Sequence, residues 1–269
     1  MATKTTSEIQ PGKKLSPDEA RAYVNQLYDK VYALSEKKIH DGPFMSELRA
    51  GKLPMPVIRQ FYKNWGRYSL EVNGLNACSY YLHLPFFVRH YDLLAPFCAK
   101  VADELISPRP PGHVLVLLKT GEKLGLSRQE ILEDSFLPEA RALNDFCHKI
   151  FFDGAIAELW ALHSFEETLS RWSGEWYTAL TNHYGFTKEE AVYFSAHEEA
   201  DMKPHRLGES KTVAMGHGPF NRLVFQRCLE DGRTESRTGD SLESIAFTMI
   251  ELQAQMMRAA MENPYPYGG

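Results

Sequence analysis

Apolar residues recur at intervals of three and four along most of the chain, and the interruptions fall at proline and glycine. Phe61, Tyr62, Trp65, Tyr68, Leu70 and Leu75 are spaced as the buried stripe of one long helix. Leu53-Pro54 opens that helix, which is expected to run to about His83, where Leu84-Pro85 interrupts it. Upstream, Ser16-Pro17-Asp18-Glu19 offers a capping hydroxyl, a proline at the first helical position and acids in the first turn. A helix is therefore predicted from there to about Lys38, broken at His40-Asp41-Gly42-Pro43. The next helix runs from Pro85 to about Ile106. It ends at the strongest breaker in the chain, residues 107–112, SPRPPG.

Beyond that breaker His113 to Leu124 reads as a helix closed by Gly125. Ser127-x-x-Glu130 and Thr187-x-x-Glu190 are capping boxes that start further helices. Helical segments are predicted over Pro138–Phe152, Ala155–Arg171 and about Gly174–Tyr184. A loop is expected around residues 216–219, GHGP, then a helix ending at Asp231-Gly232 and a last one from about Asp240 to Met261. No segment reads as a strand, a repeat or a low-complexity linker. The fold class predicted is all-α: one helical bundle of about eight to ten helices over residues 15–262. A flexible N-terminus (1–14) and a flexible tail (263–269) are expected to flank it.

Composition narrows the function classes. Of 269 residues 43% are hydrophobic and 24% charged, with a formal net charge of −5. That balance argues against nucleic acid, which demands a basic face. No apolar run approaches the roughly 20 residues of a membrane span. The opening MATKTTSEIQPGKK has no apolar core, so no secretory signal is expected in it. Cys78, Cys98, Cys147 and Cys228 are scattered without C-x2-C spacing, which disfavours disulfides and a thiolate zinc site. A soluble, cytoplasmic protein is expected.

The candidate chemistry starts at residues 193–208, YFSAHEEADMKPHRLG. His197, Asp201 and His205 stand four residues apart, a step that drifts only about 40° around a helix, so the three share one face. Imidazole with carboxylate suits zinc, iron or manganese rather than calcium. A solvated acidic helix is the competing explanation. Two other stretches offer partners. Glu166 lies at the edge of an apolar face, with Glu167 rotated about 100° away toward solvent. His163, on the same face as Glu166, is a rival ligand or a core histidine making one hydrogen bond. Glu104 and His113 flank the proline-rich break, whose prolines forbid a straight helix and allow the two to meet. Taken together, Glu104, His113, Glu166, His197, Asp201 and His205 are three carboxylates and three imidazoles. Three buried carboxylates repel one another unless cations balance them, and two divalent ions nearly do. A mixed oxygen and nitrogen set points to iron or manganese, with oxygen chemistry as its usual purpose.

These residues resemble the haem-oxygenase-like diiron oxidases and oxygenases, within the helical fold of pyrroloquinoline-quinone synthase and TenA. FYKNWGRYSLEVNGLNACSYY and LLKTGEKLGLSRQEILED resemble segments of that synthase, and the likeness runs from about Lys38 to Met261. The family pattern is a glutamate and histidine around an unwound segment, a glutamate on the next core helix, then His-x3-Asp-x2-His. Glu104, His113, Glu166, His197 and Asp201 match it, separated by 62 residues from Glu104 to Glu166 and 31 from there to His197. Three departures stand out. The last histidine is one residue late, at His205, with Pro204 in its place; a π-type bulge would absorb the extra residue. Members that make para-aminobenzoate from their own tyrosine carry Tyr before the middle glutamate and Lys ten residues after it; here these are Phe165 and Trp176. Members that hydroxylate amine nitrogens add a carboxylate near the position of Cys78, and the nearest acid here is Glu71.

What the resemblance implies is a non-haem enzyme with two irons, manganese being the alternative. It would activate O2 to oxidise, desaturate or cleave a small organic substrate resembling an amino acid or a fatty acid. Glu166 would bridge the metals, and the proline-rich segment would make one half-site mobile. The resemblance also implies a homodimer and, depending on the reaction, an external electron donor. Arg67, Tyr68, Lys203 and Arg206 are the residues considered for an anionic substrate group. Three rivals stand beside it: a cofactor-free oxidase like pyrroloquinoline-quinone synthase, a TenA-like thiaminase with Cys147 or Cys78 as its nucleophile, and a non-enzymatic helical module that binds a protein.

Overall fold

Helix α1 (Pro17–Ser35) begins at the expected capping box. The Ser16 hydroxyl accepts the Glu19 N–H and the Glu19 carboxylate accepts the Ser16 N–H at 2.8 Å. The computed structural model describes residues 9–132, 137–207 and 213–264, with α1 running into a π-helical turn (Glu36–His40) and then α2 (Pro43–Arg49). Helix α3 (Met55–Arg89) is one element of 35 residues. Pro85 does not end it, contrary to expectation. Proline costs one backbone hydrogen bond, and here Phe86 and Phe87 are buried beside it, Phe87 stacked at 3.8 Å on Phe97. The break comes at His90, and α4 (Tyr91–Ile106) follows.

The chain continues through α5 (His113–Lys123), α6 (Arg128–Leu132), α7 (Pro138–Asp153) and α8 (Ile156–Leu162). A single 3-10 turn, His163–Phe165, joins α8 to α9 (Glu166–His183), so the expected gap after Arg171 is absent and the change of geometry lies at the candidate site. Helix α10 (Val192–Ala200) follows, then strands β1 (His205–Arg206) and β2 (Val213–Ala214), paired antiparallel. Helices α11 (His217–Glu230) and α12 (Leu242–Glu262) complete the chain. The all-α class stands, with twelve α-helices among the described residues where eight to ten were expected, and one short ribbon where none was. The helix expected after the GHGP segment starts at His217 itself, inside the expected loop.

Most of the expected flexible ends lies outside the described residues. From Gln10 the chain is tied down: the Gly12 N–H donates to Thr234 Oγ1 and the Leu15 N–H to the Leu229 carbonyl. The core centres on four fully buried tryptophans, with Trp65 and Trp172 rings 4.9 Å apart and Trp176 stacked on Phe61 at 5.0 Å. Such aromatic packing holds α3, α9 and α10 together, and those helices frame the site. Among the described residues no helix is long and apolar enough to cross a membrane, and the four cysteines are free thiols.

Candidate metal centre

Helix α4 delivers three charged side chains to one face. Lys100, Asp103 and Glu104 stand at i, i+3 and i+4, and all three are buried. The chain then turns back through Gly112, whose φ of +72° suits glycine and where a Cβ would collide with the Glu104 carbonyl. That turn puts His113, the first residue of α5, against its expected neighbour, with His113 Nδ1 2.9 Å from Glu104 Oε2.

Glu166 opens α9 where the 3-10 turn ends. Its carboxylate accepts from Lys100 Nζ at 2.6 Å, from Asn221 Nδ2 at 2.9 Å and lies 2.5 Å from His163 Nδ1. His163 thus orients Glu166 with one ring nitrogen. Glu167 is not solvated as expected but buried, held bidentately by Arg222 at 2.6 and 2.8 Å and by the Tyr32 hydroxyl at 2.9 Å. Rotation by 100° on this helix leads to another neighbour, because α1 and α11 cover that side of α9.

Helix α10 carries His197, whose Nδ1 bonds the Tyr193 carbonyl at 2.8 Å and leaves Nε2 as the lone-pair nitrogen. Asp201 keeps its N–H on the His197 carbonyl at 3.2 Å, but the helix proper ends at Ala200. The expected one-face row through His205 is therefore corrected, and no π bulge forms. Pro204 has no N–H for the Ala200 carbonyl, and the chain leaves the helix into β1. His205 still turns inward. Its Nε2 bonds Asp103 Oδ2 at 2.8 Å and its Nδ1 lies 3.1 Å from the Lys203 carbonyl.

His217 occupies the middle of the cluster, a role not seen in the sequence. Its Nδ1 lies 3.3 Å from Asp201, 3.7 Å from Glu104 and 3.8 Å from Glu166, and its Nε2 is 3.2 Å from Asp103. Gly216 and Gly218 let α11 start this close. A Cβ on Gly216 would meet the Met202 backbone at 2.6 Å, and the Gly218 N–H bonds the Asp201 carbonyl at 2.8 Å. Two three-residue groups with metal-ligand donors result, Asp103–His205–His217 and Glu166–Asp201–His217, the donor atoms of each within 4.8 Å of one another.

The electrostatics follow from four buried carboxylates. Burial works against the charge of Asp103, but the hydrogen bond from His205 and the nearby His217 hold it far below the ordinary range. Burial likewise opposes Glu104, which the adjacent His113 brings down to about 2. Glu166 is kept well below its ordinary value by Lys100 and His163, again against burial. Asp201 is the exception, raised because burial dominates. His217 is raised to about 10, the carboxylates of Asp103 and Asp201 outweighing burial and Lys100. His197 is lowered by burial and by neighbouring His113.

Five of the six expected ligands, Glu104, His113, Glu166, His197 and Asp201, line one cavity of about 50 Å³. His205 stands one step outside it, behind Asp103. Tyr68 shares the lining, whereas Arg67 is tied to Glu71 and the Leu132 carbonyl, and Lys203 and Arg206 are exposed. Asp103 Oδ1, Asp201 Oδ2, His113 Nδ1 and His217 Nε2 are buried without an aligned hydrogen-bond partner among the described residues. Buried polar atoms are normally satisfied. Oxygen and nitrogen donors left over in one cluster are what a bound cation would consume, so the residues present fit an iron or manganese centre.

Comparisons with known proteins agree with that donor set. A family described as iron-containing redox enzymes matches residues 85–215. The 4-aminobenzoate synthase of Chlamydia trachomatis serovar D is 27% identical over 167 residues, covering 58% of this chain and 72% of that protein. The 4-aminobenzoate synthase of Chlamydia pneumoniae is 24% identical over 155 residues, 54% of this chain and 69% of that one. Among solved structures, a TenA homologue from Pseudomonas syringae pv. tomato superposes with a TM-score of 0.64 at 12% identity over 96% of this chain and 99% of its own. A domain with a heme oxygenase-like fold from Shewanella denitrificans gives 0.60 at 15% identity over 93% and 94%. The chain has the haem-oxygenase-like fold, and over the span that holds all six expected ligands it resembles the iron-containing redox enzymes.

Proposed function

We propose that this protein is an O2-dependent oxidoreductase that holds two irons in the buried cluster and oxidises a small organic substrate in the adjoining cavity. One observation carries the reading: four buried carboxylates, Asp103, Glu104, Glu166 and Asp201, converge with His113, His197, His205 and His217, and several of their donor atoms are left unpartnered. Two divalent ions would bring +4 against four carboxylates and the buried Lys100 ammonium, close to balance with neutral histidines. The ligands we assign are Glu104, His113, Glu166, His197, Asp201 and His205, with manganese the alternative metal. Iron(II) held there would supply electrons and open coordination positions for dioxygen.

The chain's own residues do the remaining work. His163 and Asn221 fix the Glu166 carboxylate, and the Tyr193 carbonyl fixes the tautomer of His197. Val72, Val114, Leu117, Phe165 and Leu169 keep the cavity dry, while Ser69, Asn73 and Asn76 offer polar groups to orient a substrate. The Tyr193 hydroxyl accepts from Trp65 Nε1 at 2.8 Å and stands 3.0 Å from Ser69 Oγ. Burial pushes its pKa above the ordinary value, so it stays a neutral hydrogen-bond donor on the cavity wall. A volume of about 50 Å³ accommodates a few water molecules or dioxygen, so a larger substrate requires its walls to part.

The chlamydial relatives carry the name 4-aminobenzoate synthase. Phe165 and Trp176, both buried, stand here where members that consume their own tyrosine carry tyrosine and lysine. We therefore assign an external substrate, amino-acid-like or fatty-acid-like, rather than a residue of the chain. An external electron donor, a homodimer and a cytoplasmic location belong to the same proposal. A cofactor-free oxidase is the second reading, favoured by Lys100 and His217, which already set positive charge among the carboxylates.

The test is to load the protein with Fe(II) anaerobically, mix it with O2, and follow absorbance and oxygen uptake. A transient visible band with oxygen consumption is expected. Oxygen consumption with substrate but without any metal would replace this reading with the cofactor-free one.

A further inference from the structure

A second cavity, of about 330 Å³, opens between the end of α3, the α7–α8 junction and the loop after α11, and it shares no lining residue with the first. Its polar wall consists of Arg89, Arg233, Arg237 and His83, with Glu235 beside them. Among the described residues none of the three guanidinium groups is in an ion pair with a carboxylate. The His83 Nε2 is buried and has no hydrogen-bond partner. The lining also includes apolar side chains, Phe86, Phe152 and Ile156.

The loop that presents Arg237 is pinned. Glu158, fully buried, accepts the Ser236 hydroxyl at 2.6 Å, the Thr238 hydroxyl at 2.7 Å and the Arg237 N–H at 3.1 Å. Arg233 is fixed at the other end, where its N–H bonds the Cys228 carbonyl at 2.8 Å. Three like charges held toward one concavity repel one another, and a ligand oxyanion removes that cost. Guanidinium forks match carboxylate and phosphate oxygens two bonds at a time. The volume falls in the range of small-molecule pockets, and a lining that mixes apolar and charged groups suits a ligand with both characters.

We propose that this cavity binds a small organic oxyanion, a carboxylate or phosphate monoester bearing an apolar group. Arg89, Arg233 and Arg237 take the oxyanion, and Phe86 and Phe152 take the apolar part. His83 reports on it. Burial lowers this imidazole to about 4, with the charge of Arg237 adding to the effect, and a bound anion offsets that charge and raises it again. The site is independent of the iron reading, since no ligand assigned there lines it.

Calorimetric titration of the full-length protein with phenyl phosphate, benzoate and inorganic phosphate, at constant ionic strength, tests the proposal. One organic anion should bind at one site per chain, roughly tenfold or more tighter than inorganic phosphate. The tighter of phenyl phosphate and benzoate identifies the head group. The Arg89→Gln/Arg237→Gln double variant should lose roughly tenfold or more while keeping its Tm and its iron uptake. Phe152→Ala should shrink the advantage of the organic anion over inorganic phosphate. His83 resonances should titrate at higher pH when the ligand is bound. No saturable binding of either organic anion at millimolar concentration, or equal binding in the double variant, overturns the proposal.

Discussion

His205 Nε2 lies 2.8 Å from Asp103 Oδ2, joining two residues 102 positions apart and bringing the end of the broken α10 row back to α4. The second ring nitrogen of His205 faces the Lys203 carbonyl at 3.1 Å, so both nitrogens face acceptors, which favours the protonated ring. Its pKa is raised, chiefly by the Asp103 hydrogen bond. In this state His205 steadies Asp103. Iron bound as proposed would take one of the two from the other.

That coupling is measurable. Asp103→Asn keeps the shape of the side chain and removes its charge, and should weaken Fe(II) binding roughly 10- to 100-fold, the usual effect of altering a group that supports a ligand. His205→Ala should act on the same pair, so the double variant should lose less than the sum of the two. Anaerobic Fe(II) titration of the three variants gives the answer, and strict additivity would show that the pair does not act together.

Lys100 is the residue whose removal separates the metal-free and metal-bound states. Its ammonium and the Glu166 carboxylate are both buried and 2.6 Å apart. Lys100→Met leaves the buried carboxylate its His163 and Asn221 contacts but no ammonium, which should cost the metal-free protein roughly 3 kcal/mol in denaturant unfolding. With iron bound, Glu166 has another cation and the loss should be smaller. Equal losses in the two states would mean that iron does not reach Glu166.

The pH dependence of the metal-free protein should show two limbs. His217 is raised from 6.5 to about 10, so its stabilisation is complete below pH 6.5 and is lost as the pH rises through about 10. Glu104 is lowered from 4.5 to about 2, so its share is complete above pH 4.5 and is lost as the pH falls toward 2. Thermal unfolding should show Tm falling by roughly 5 °C or more on the alkaline side. His217→Asn should flatten that limb and leave the acidic one. An unchanged alkaline limb in the variant would remove His217 from the centre of the cluster.

Glu167 gives the matching control. Glu167→Gln breaks a bidentate pair with Arg222, a partner still partly exposed to solvent, and should cost about 2 kcal/mol. Iron stoichiometry should not move. A drop in bound iron would show that Glu167, not only Glu166, serves the metals.

Much of this centre was legible in local sequence. The capping box at Ser127 starts α6 as expected, and the turn-back at residues 107–112 brings His113 onto Glu104. The Thr187–Glu190 bonds close a turn instead, and α10 begins only at Val192. Five residues expected as ligands do surround one cavity. Asp103 and Lys100 carried a readable signal, since they share a helix face with Glu104. His217 carried none, because its place depends on how closely two glycines let α11 approach a turn 14 residues upstream. The exit of α10 was half legible. Pro204 marked the weak bond, but the gain that decides the outcome, His205 on Asp103 with β1 pairing to β2, comes from partners distant in sequence. At Pro85 the reverse holds: buried phenylalanines keep the helix going past a residue that normally stops one.

The iron count per chain decides most. Anaerobic titration with Fe(II), followed by removal of loose metal and elemental analysis, should give about two irons per chain for the native protein. Glu166→Ala and His197→Ala, checked for folding by circular dichroism, should each bind substantially less. No iron uptake by the native protein, with the variants folded as before, would contradict the two-iron reading and leave the cofactor-free oxidase in its place.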